Sequence, residues 1–247
     1  MKNTLLKHRS IRKFLSTPIP EEILTEMLTA ATRASTCGNM QLYSLVVTRK
    51  QETRDLLAPC HFNQPASKAP CIITVCADIH RFSMWCQQRD AEPSYDNFAW
   101  FLNATTDALL AAQNLCIAAE KHNLGICYLG TTIYTAEKIS EILALPKGVI
   151  PITAIAMGYP DESPQLTDRL PLDAIVHYEK YNDYTAAEID ELWAEREISQ
   201  ETKAIIEQND LPNLAQVFTK NRYKKEDNLA ISRSYFELLN KKGFFNN

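Results

Sequence analysis

Residues 7–14, KHRSIRKF, bring Lys7, His8, Arg9, Arg12 and Lys13 together around a hydroxyl at Ser10. The chain as a whole is acidic, with 26 Lys and Arg against 30 Asp and Glu over 247 residues, a net charge of −4. A guanidinium fork meets a phosphate through two parallel bonds, and each charge-assisted bond contributes about 1.5–3 kcal/mol. Arg9, Arg12 and Ser10, with His8 as a further donor, therefore make a clamp for one phosphate. If the segment forms a helical turn, a spacing of three puts both guanidinium groups on one side and Ile11 and Phe14 on another, against the core. The plain alternative is a solvated basic face.

The glycines sharpen that choice. There are six, at positions 38, 125, 130, 148, 158 and 243, and none falls in a GxGxxG or GxxxxGK[ST] pattern. The backbone cradles that usually hold a dinucleotide or a triphosphate are absent. A phosphorylated cofactor in this chain has to be held by side chains.

Composition excludes several other classes. A mild acidic balance lacks the extended basic surface that nucleic acid needs. No apolar run approaches the length of a membrane span, and MKNTLLKHRSIRKF has neither the apolar region nor the cleavage site of a secretory signal, so a cytoplasmic protein is expected. The seven cysteines form no CxxC pair, and several sit in apolar runs such as CIITVCA, where free Cys acts as a small hydrophobe. No metal site is expected from their spacing.

These residues need elements to position them. EEILTEMLTAATRA, with Pro20 at its start, places Ile23, Leu24, Met27, Leu28 and Ala31 on one helical stripe. YSLVVT (43–48), CIITVCA (71–77), ICYLG (126–130) and ITAIAMG (152–158) are short β-branched runs that read as buried strands, and AIVHYEKY (174–181) reads as a further extended segment. Residues 102–124 form the clearest helix, apolar over most of its circumference and hence central, with Gly125 as its stop. A helix is expected over roughly 135–144, a capping box at Thr185–Glu188 opens a helical stretch to about 208, residues 219–228 read as a loop, and 231–242 as a last helix closed by Gly243. No boundary divides the chain. One α+β domain over 1–247 is expected, with 185–228 as a variable helical and loop excursion.

Several separated motifs then coincide. His8-Arg9-Ser10-Ile11-Arg12 matches an opening HRSIR motif. Ser35-Thr36-Cys37-Gly38-Asn39-Met40-Gln41 is a small-residue run ending in Gln after the first long helix. Gln64 precedes the strand ending Cys76-Ala77-Asp78. Tyr128-Leu129-Gly130-Thr131 forms an aromatic-x-Gly-small turn after the central helix, and Arg169-Leu170-Pro171 resembles a PRLP motif. In order and spacing the sequence resembles the FMN-dependent nitroreductase family, in the group of oxygen-insensitive nitroreductases and NADPH–flavin oxidoreductases. The likeness covers most of the chain and weakens between about 185 and 228.

That resemblance implies a mixed β-sheet flanked by helices around the central helix, and a homodimer with FMN in a groove supplied by both chains. It implies that His8, Arg9, Ser10, Arg12 and Arg169 hold phosphate and ribityl oxygens, that Thr36, Cys37 and Gln41 line the sugar or ring, and that Gln64 bonds the pyrimidine edge. The backbone at Tyr128, Leu129, Gly130 and Thr131 would approach the N5–O4 edge. Thr167 stands where the group often has Lys, and Asp168 adds a negative charge, so either cofactor affinity is lower or Lys68 or Arg233 compensates. Cys37 replaces a usual Ser and reads as a small packed residue. The implied activity is ping-pong hydride transfer from NAD(P)H, with NADPH favoured, through flavin N5 to a small acceptor such as a nitroaromatic, a quinone or free flavin. The alternative is a flavin-binding carrier or sensor without turnover. His61, His80, His122 and His177 have no acid partner at readable spacing and read as structural. TKNRYKK (219–225) reads as a solvated loop or a grip on a nicotinamide phosphate, and the aromatic set from Trp85 to Phe101 as packing.

Overall fold

The computed structural model describes residues 5–246. Four strands form one sheet in the order β1 (Tyr43–Thr48), β2 (Cys71–Asp78), β4 (Val149–Gly158), β3 (Gly125–Leu129). Every pairing is antiparallel, with Val46 opposite Thr74, Ile73 opposite Ile155 and Cys127 opposite Ala156. The α+β class stands. The mixed sheet does not, because among the described residues no strand lies parallel to another.

Side chains alternate across the sheet with the two-residue period of a strand. Ile73, Val75, Ile126, Ile155 and Met157 face a cluster built with Leu24 and Met27 of α1 (Glu21–Ala31) and Ala108, Ala111, Ala112 and Leu115 of α4 (Phe98–Lys121). Ile72, Cys127, Leu129, Ala154 and Ala156 face the other way, against Ala66, Ala69 and Phe14. Alanine on the buried stripe of α4 lets that helix approach the sheet and α1 closely. Its opposite side carries Phe98, Leu102, Leu109 and Leu110, which are 40–51% exposed in the single chain. An all-round apolar helix thus has one face covered by its own fold and one that is not.

The start of α4 is capped by the Asn97 side chain, which accepts from the Trp100 N–H. The stop differs from expectation. The helix ends at Lys121, the left-handed residue is Asn123, and Gly125 already belongs to β3. Gly125 is glycine for a different reason: a Cβ there would lie 2.6 Å from Ile11, which is pressed against it.

Three short helices surround the sheet: α2 (Gln51–Leu57), α3 (His80–Gln87) and α5 (Ala136–Ile142). Periodicity missed the first two, which are too short to show a stripe. The aromatic set packs in part: Tyr95 meets Phe82 and Trp100 edge-on at 5.1 and 4.7 Å, while Trp85 stays half exposed.

Residues Leu166–Ser232 form a second compact unit. The capping box at Thr185 is present with both of its bonds, and it opens α6 (Ala186–Ile198). A break at Ser199 starts α7 (Gln200–Asn209), followed by α8 (Leu214–Val217). The segment expected as a loop over 219–228 is instead a π-helical turn, Phe218–Arg222, followed by the start of α9 (Lys225–Lys241). The segment expected to be extended at 174–181 is not a strand. It holds a 3₁₀ turn at Leu172–Ala174 and an aromatic cluster in which the Tyr184 hydroxyl donates to the Ala174 carbonyl, leaving no ladder to join. Gly243 closes α9 with φ of +80°.

Candidate active site

The basic segment is not a helical turn. Residues 8–13 lie outside regular structure and run beside β3, with the Ile11 N–H donating to the Ile126 carbonyl at 2.9 Å. Phe14 then bridges Pro160, Asp161 donates to the Lys13 carbonyl, and Leu15 donates to the Tyr159 carbonyl. The segment covers the open edge of β3, which would otherwise leave its backbone groups unpaired. Arg9 and Arg12 are therefore not brought to one side by a helical spacing of three. The backbone extends, and a different set of bonds fixes it.

Glu162 supplies those bonds. Its carboxylate accepts from the N–H of Arg12 at 2.5 Å and of Lys13 at 3.1 Å, and the first of these holds its carboxyl below the usual carboxylate range. Arg9 donates from Nη1 to the Pro164 carbonyl at 2.9 Å. His8 places Nδ1 2.5 Å from Glu120 near the end of α4, which leaves only Nε2 for anything else. Among the described residues the Arg12 guanidinium has no hydrogen-bond or ionic partner, and it is exposed. Ser10 is half-buried beside it in sequence.

A polar cluster sits where β3 ends. The hydroxyl of Thr131 lies 3.2 Å from Gln64 Nε2 and 3.0 Å from His61 Nδ1. His61 is 1% exposed, its Nε2 has no partner among the described residues, and burial alone lowers its pKa to about 4. Gly130, just before Thr131, is exposed, and a Cβ built on it meets nothing within 4 Å. Leu129 is fully buried on the sheet's second face. Tyr128 packs its ring on the central-helix face and points its hydroxyl at Gln113, 3.4 Å away; burial, then the Cys116 thiol, raises its pKa. Of this turn, Gly130 is open to a ligand, and Thr131 beside it is half-buried. The Tyr128 and Leu129 side chains are not open to one.

The third group lies at the other edge of the sheet, before β1. Gly38, Asn39 and Gln41 all have positive φ, between 53° and 56°, so the loop is tightly wound. The Thr36 hydroxyl accepts from the Gln41 N–H at 2.9 Å. Asp107, 2% exposed on α4, closes the loop from beneath: its two oxygens accept from Cys37 N–H at 2.9 Å and Leu42 N–H at 3.1 Å. Arg81 of α3 holds the Gln41 and Tyr43 carbonyls. Cys37 is exposed, not packed as expected, because the loop turns outward once Asp107 has taken its backbone. The other six cysteines are buried, and burial raises Cys71 to about 11 and Cys76 and Cys116 to about 12.

Thr167 and Arg169 lie in the Leu166–Ser232 unit and are exposed there. Arg169 Nη1 donates to the Asp168 and Thr167 carbonyls at 2.8 and 3.4 Å. The negative charge of Asp168 is met by Arg196 Nε at 2.7 Å, a bond that keeps its carboxyl below the usual range.

Sequence reading missed Glu162, Asp107, Arg81 and His61. Asp107 had a signal, a lone carboxylate inside an apolar helix, and Glu162 and Arg81 had none. The histidines also need amending: His122 does have an acid partner, Glu26 on α1 at 3.0 Å, and the two are too far apart in sequence for spacing to reveal it.

Residues 5–159 match the model of the nitroreductase family. The chain belongs to that family. An FMN reductase (NADPH) of Bacillus subtilis is 34% identical over 182 residues, covering 72% of this chain and 73% of its own. The fold of this nitroreductase-family chain superposes on a candidate oxidoreductase from Bacteroides fragilis with a TM-score of 0.97 at 48% identity, covering 99% and 100% of the two chains. The NfrA1 nitroreductase of B. subtilis gives 0.86 at 27% identity, covering 99% and 98%.

Proposed function

We propose that this chain is an FMN-dependent NAD(P)H oxidoreductase that works by ping-pong transfer and uses NADPH as the preferred donor. The observation that carries this is the alignment along one sheet edge. Arg9 and Arg12 lie beside the start of β3, and the open Gly130–Thr131 turn with Gln64 lies just past its end. From Ile126 to Leu129 is about 10 Å at about 3.3 Å per residue, so phosphate-binding and ring-binding groups are set apart along an extended ligand. The residues fit FMN in kind: an unpaired guanidinium for the phosphate, an amide for the pyrimidine edge, and a glycine with open space where a flat ring could approach backbone.

The loop at Thr36–Gln41 is at the opposite edge. Three inter-strand spacings of about 4.8 Å put it roughly 14 Å across the sheet, whose faces are covered by other elements. One chain's loop therefore completes the site of a second copy. The uncovered side of α4, with Phe98, Leu102, Leu109 and Leu110, is the apolar surface that the two copies would bury. A cytoplasmic homodimer is the resulting assembly.

FMN, when bound, supplies two-electron hydride chemistry, accepting from a nicotinamide and passing on to a nitroaromatic, a quinone or another flavin. The protein's own part is position and electrostatics. Arg9 and Arg12 hold the phosphate, with Ser10 as a further donor to the cofactor tail. Gln64 bonds the polar ring edge, and the N–H groups of the Gly130–Thr131 turn place fixed dipoles where charge develops. No side-chain nucleophile is required.

Steady-state kinetics test the reading. Initial rates over a grid of NADPH and quinone concentrations should give parallel double-reciprocal lines. Intersecting lines overturn the one-site ping-pong scheme, and bound FMN that no nicotinamide reduces leaves only a binding protein.

A further inference from the structure

Thr131 Oγ1 has two lone pairs and one hydrogen, and two side chains reach it from the protein. Gln64 donates from Nε2 at 3.2 Å and fills one lone pair. His61 approaches with Nδ1 at 3.0 Å, and its bond runs in one of two directions. If Nδ1 accepts the Thr131 hydrogen, the ring proton sits on Nε2, which is buried with no acceptor among the described residues. If Nδ1 carries the proton, Nε2 is a bare lone pair. A buried donor left without a partner is rarer in folded proteins than an unfilled acceptor, so the second arrangement is favoured.

We propose that His61 is a positioning residue: as its Nδ1–H tautomer it fills the second lone pair of Thr131 Oγ1, so that the Thr131 hydroxyl hydrogen is directed away from the protein as a fixed donor to bound FMN. This rests on the flavin reading above. His61 is two hydrogen bonds from the ligand and does not touch it. Its neutrality is assured by burial, which keeps it unprotonated at neutral pH. Thr131 is half-buried and directly follows Gly130, beside which space is open. A donor held without rotational freedom at a site where negative charge builds stabilises that charge with no reorganisation.

Two measurements decide it. The ring ¹⁵N spectrum of the uniformly labelled full-length protein, recorded with and without FMN, reads the tautomer directly. A proton on Nδ1 of His61 at neutral pH supports the proposal, and a proton on Nε2 overturns it. This arm does not depend on the cofactor, so a protein that takes up no FMN sinks the flavin reading and leaves the tautomer result standing. The second arm is the midpoint potential of bound FMN in Thr131→Val, His61→Phe and the double variant. Each single change should lower the equilibrium constant for two-electron reduction about tenfold, near 30 mV, and the double variant should lower it no further, since both act through one hydroxyl. Thr131→Val is close to isosteric, which guards against a His61→Phe chain that fails to fold. An unchanged potential in Thr131→Val, or additive shifts in the double variant, refutes the assignment.

Discussion

His61 makes a quantitative prediction for stability against pH. The ring is 1% exposed, burial is the cause of its shift, and its folded pKa is about 4 against an ordinary 6.5. Above 6.5 neither the folded nor the unfolded chain binds this proton, so the residue has no pH effect there. Between 6.5 and 4 the unfolded chain takes up a proton that the folded chain refuses, and stability falls as pH falls. Below 4 both states are protonated and the loss levels off. A gap of about 2.5 pH units at about 1.4 kcal/mol per pH unit amounts to roughly 3.5 kcal/mol. The perturbation is His61→Gln, and the assay is urea unfolding of the FMN-free protein across that range, so that ligand linkage does not enter. Carboxylates contribute to both curves and cancel in the difference. Wild type should lose about 3.5 kcal/mol more than the variant on going from above pH 6.5 to below pH 4. Parallel profiles would show that the ring is not kept from water, and would refute the burial argument.

Three other substitutions separate cofactor binding from folding. Arg12→Ala should weaken FMN by about tenfold or more, the worth of a charge-assisted bond, while the melting temperature of the flavin-free protein stays put; fluorescence titration with FMN reads the first and calorimetry the second. Gly130→Val should likewise cost flavin affinity and leave the flavin-free fold intact, because the space beside that Cα is open; a drop in stability of the flavin-free chain would contradict this. Asp107→Ala should behave in the opposite sense: it orphans the Cys37 and Leu42 N–H groups, costing about 2–4 kcal/mol in urea unfolding, and freeing the Thr36–Gln41 loop to faster hydrogen exchange.

The four strands, α1 and the central helix were legible because each is a long enough run of one period or one apolar block. The sheet's pairing was not. Antiparallel order β1-β2-β4-β3 depends on crossovers that no local pattern states. At the proposed site, Arg9, Arg12, Gln64 and Thr131 stand out in the sequence as motif residues, while what frames them does not. Glu162 lies 150 residues from Arg12, and Asp107 reaches back 65 residues to Leu42. Carboxylates that accept backbone N–H groups from distant parts of the chain are fixed by tertiary approach alone. No helical turn forms at 8–12 for the same reason: the open edge of β3, a non-local partner, outweighs the local spacing. His61 looked structural because a hydroxyl, not an acid, is its neighbour.

We propose that guanidinium side chains and an open glycine turn hold FMN where a nicotinamide can reach it. The direct measurement is the visible spectrum of the purified protein under anaerobic conditions, before and after NADPH. The prediction is a flavin band that bleaches on NADPH and returns when a quinone is added. A colourless protein whose melting temperature does not rise with added FMN would contradict it.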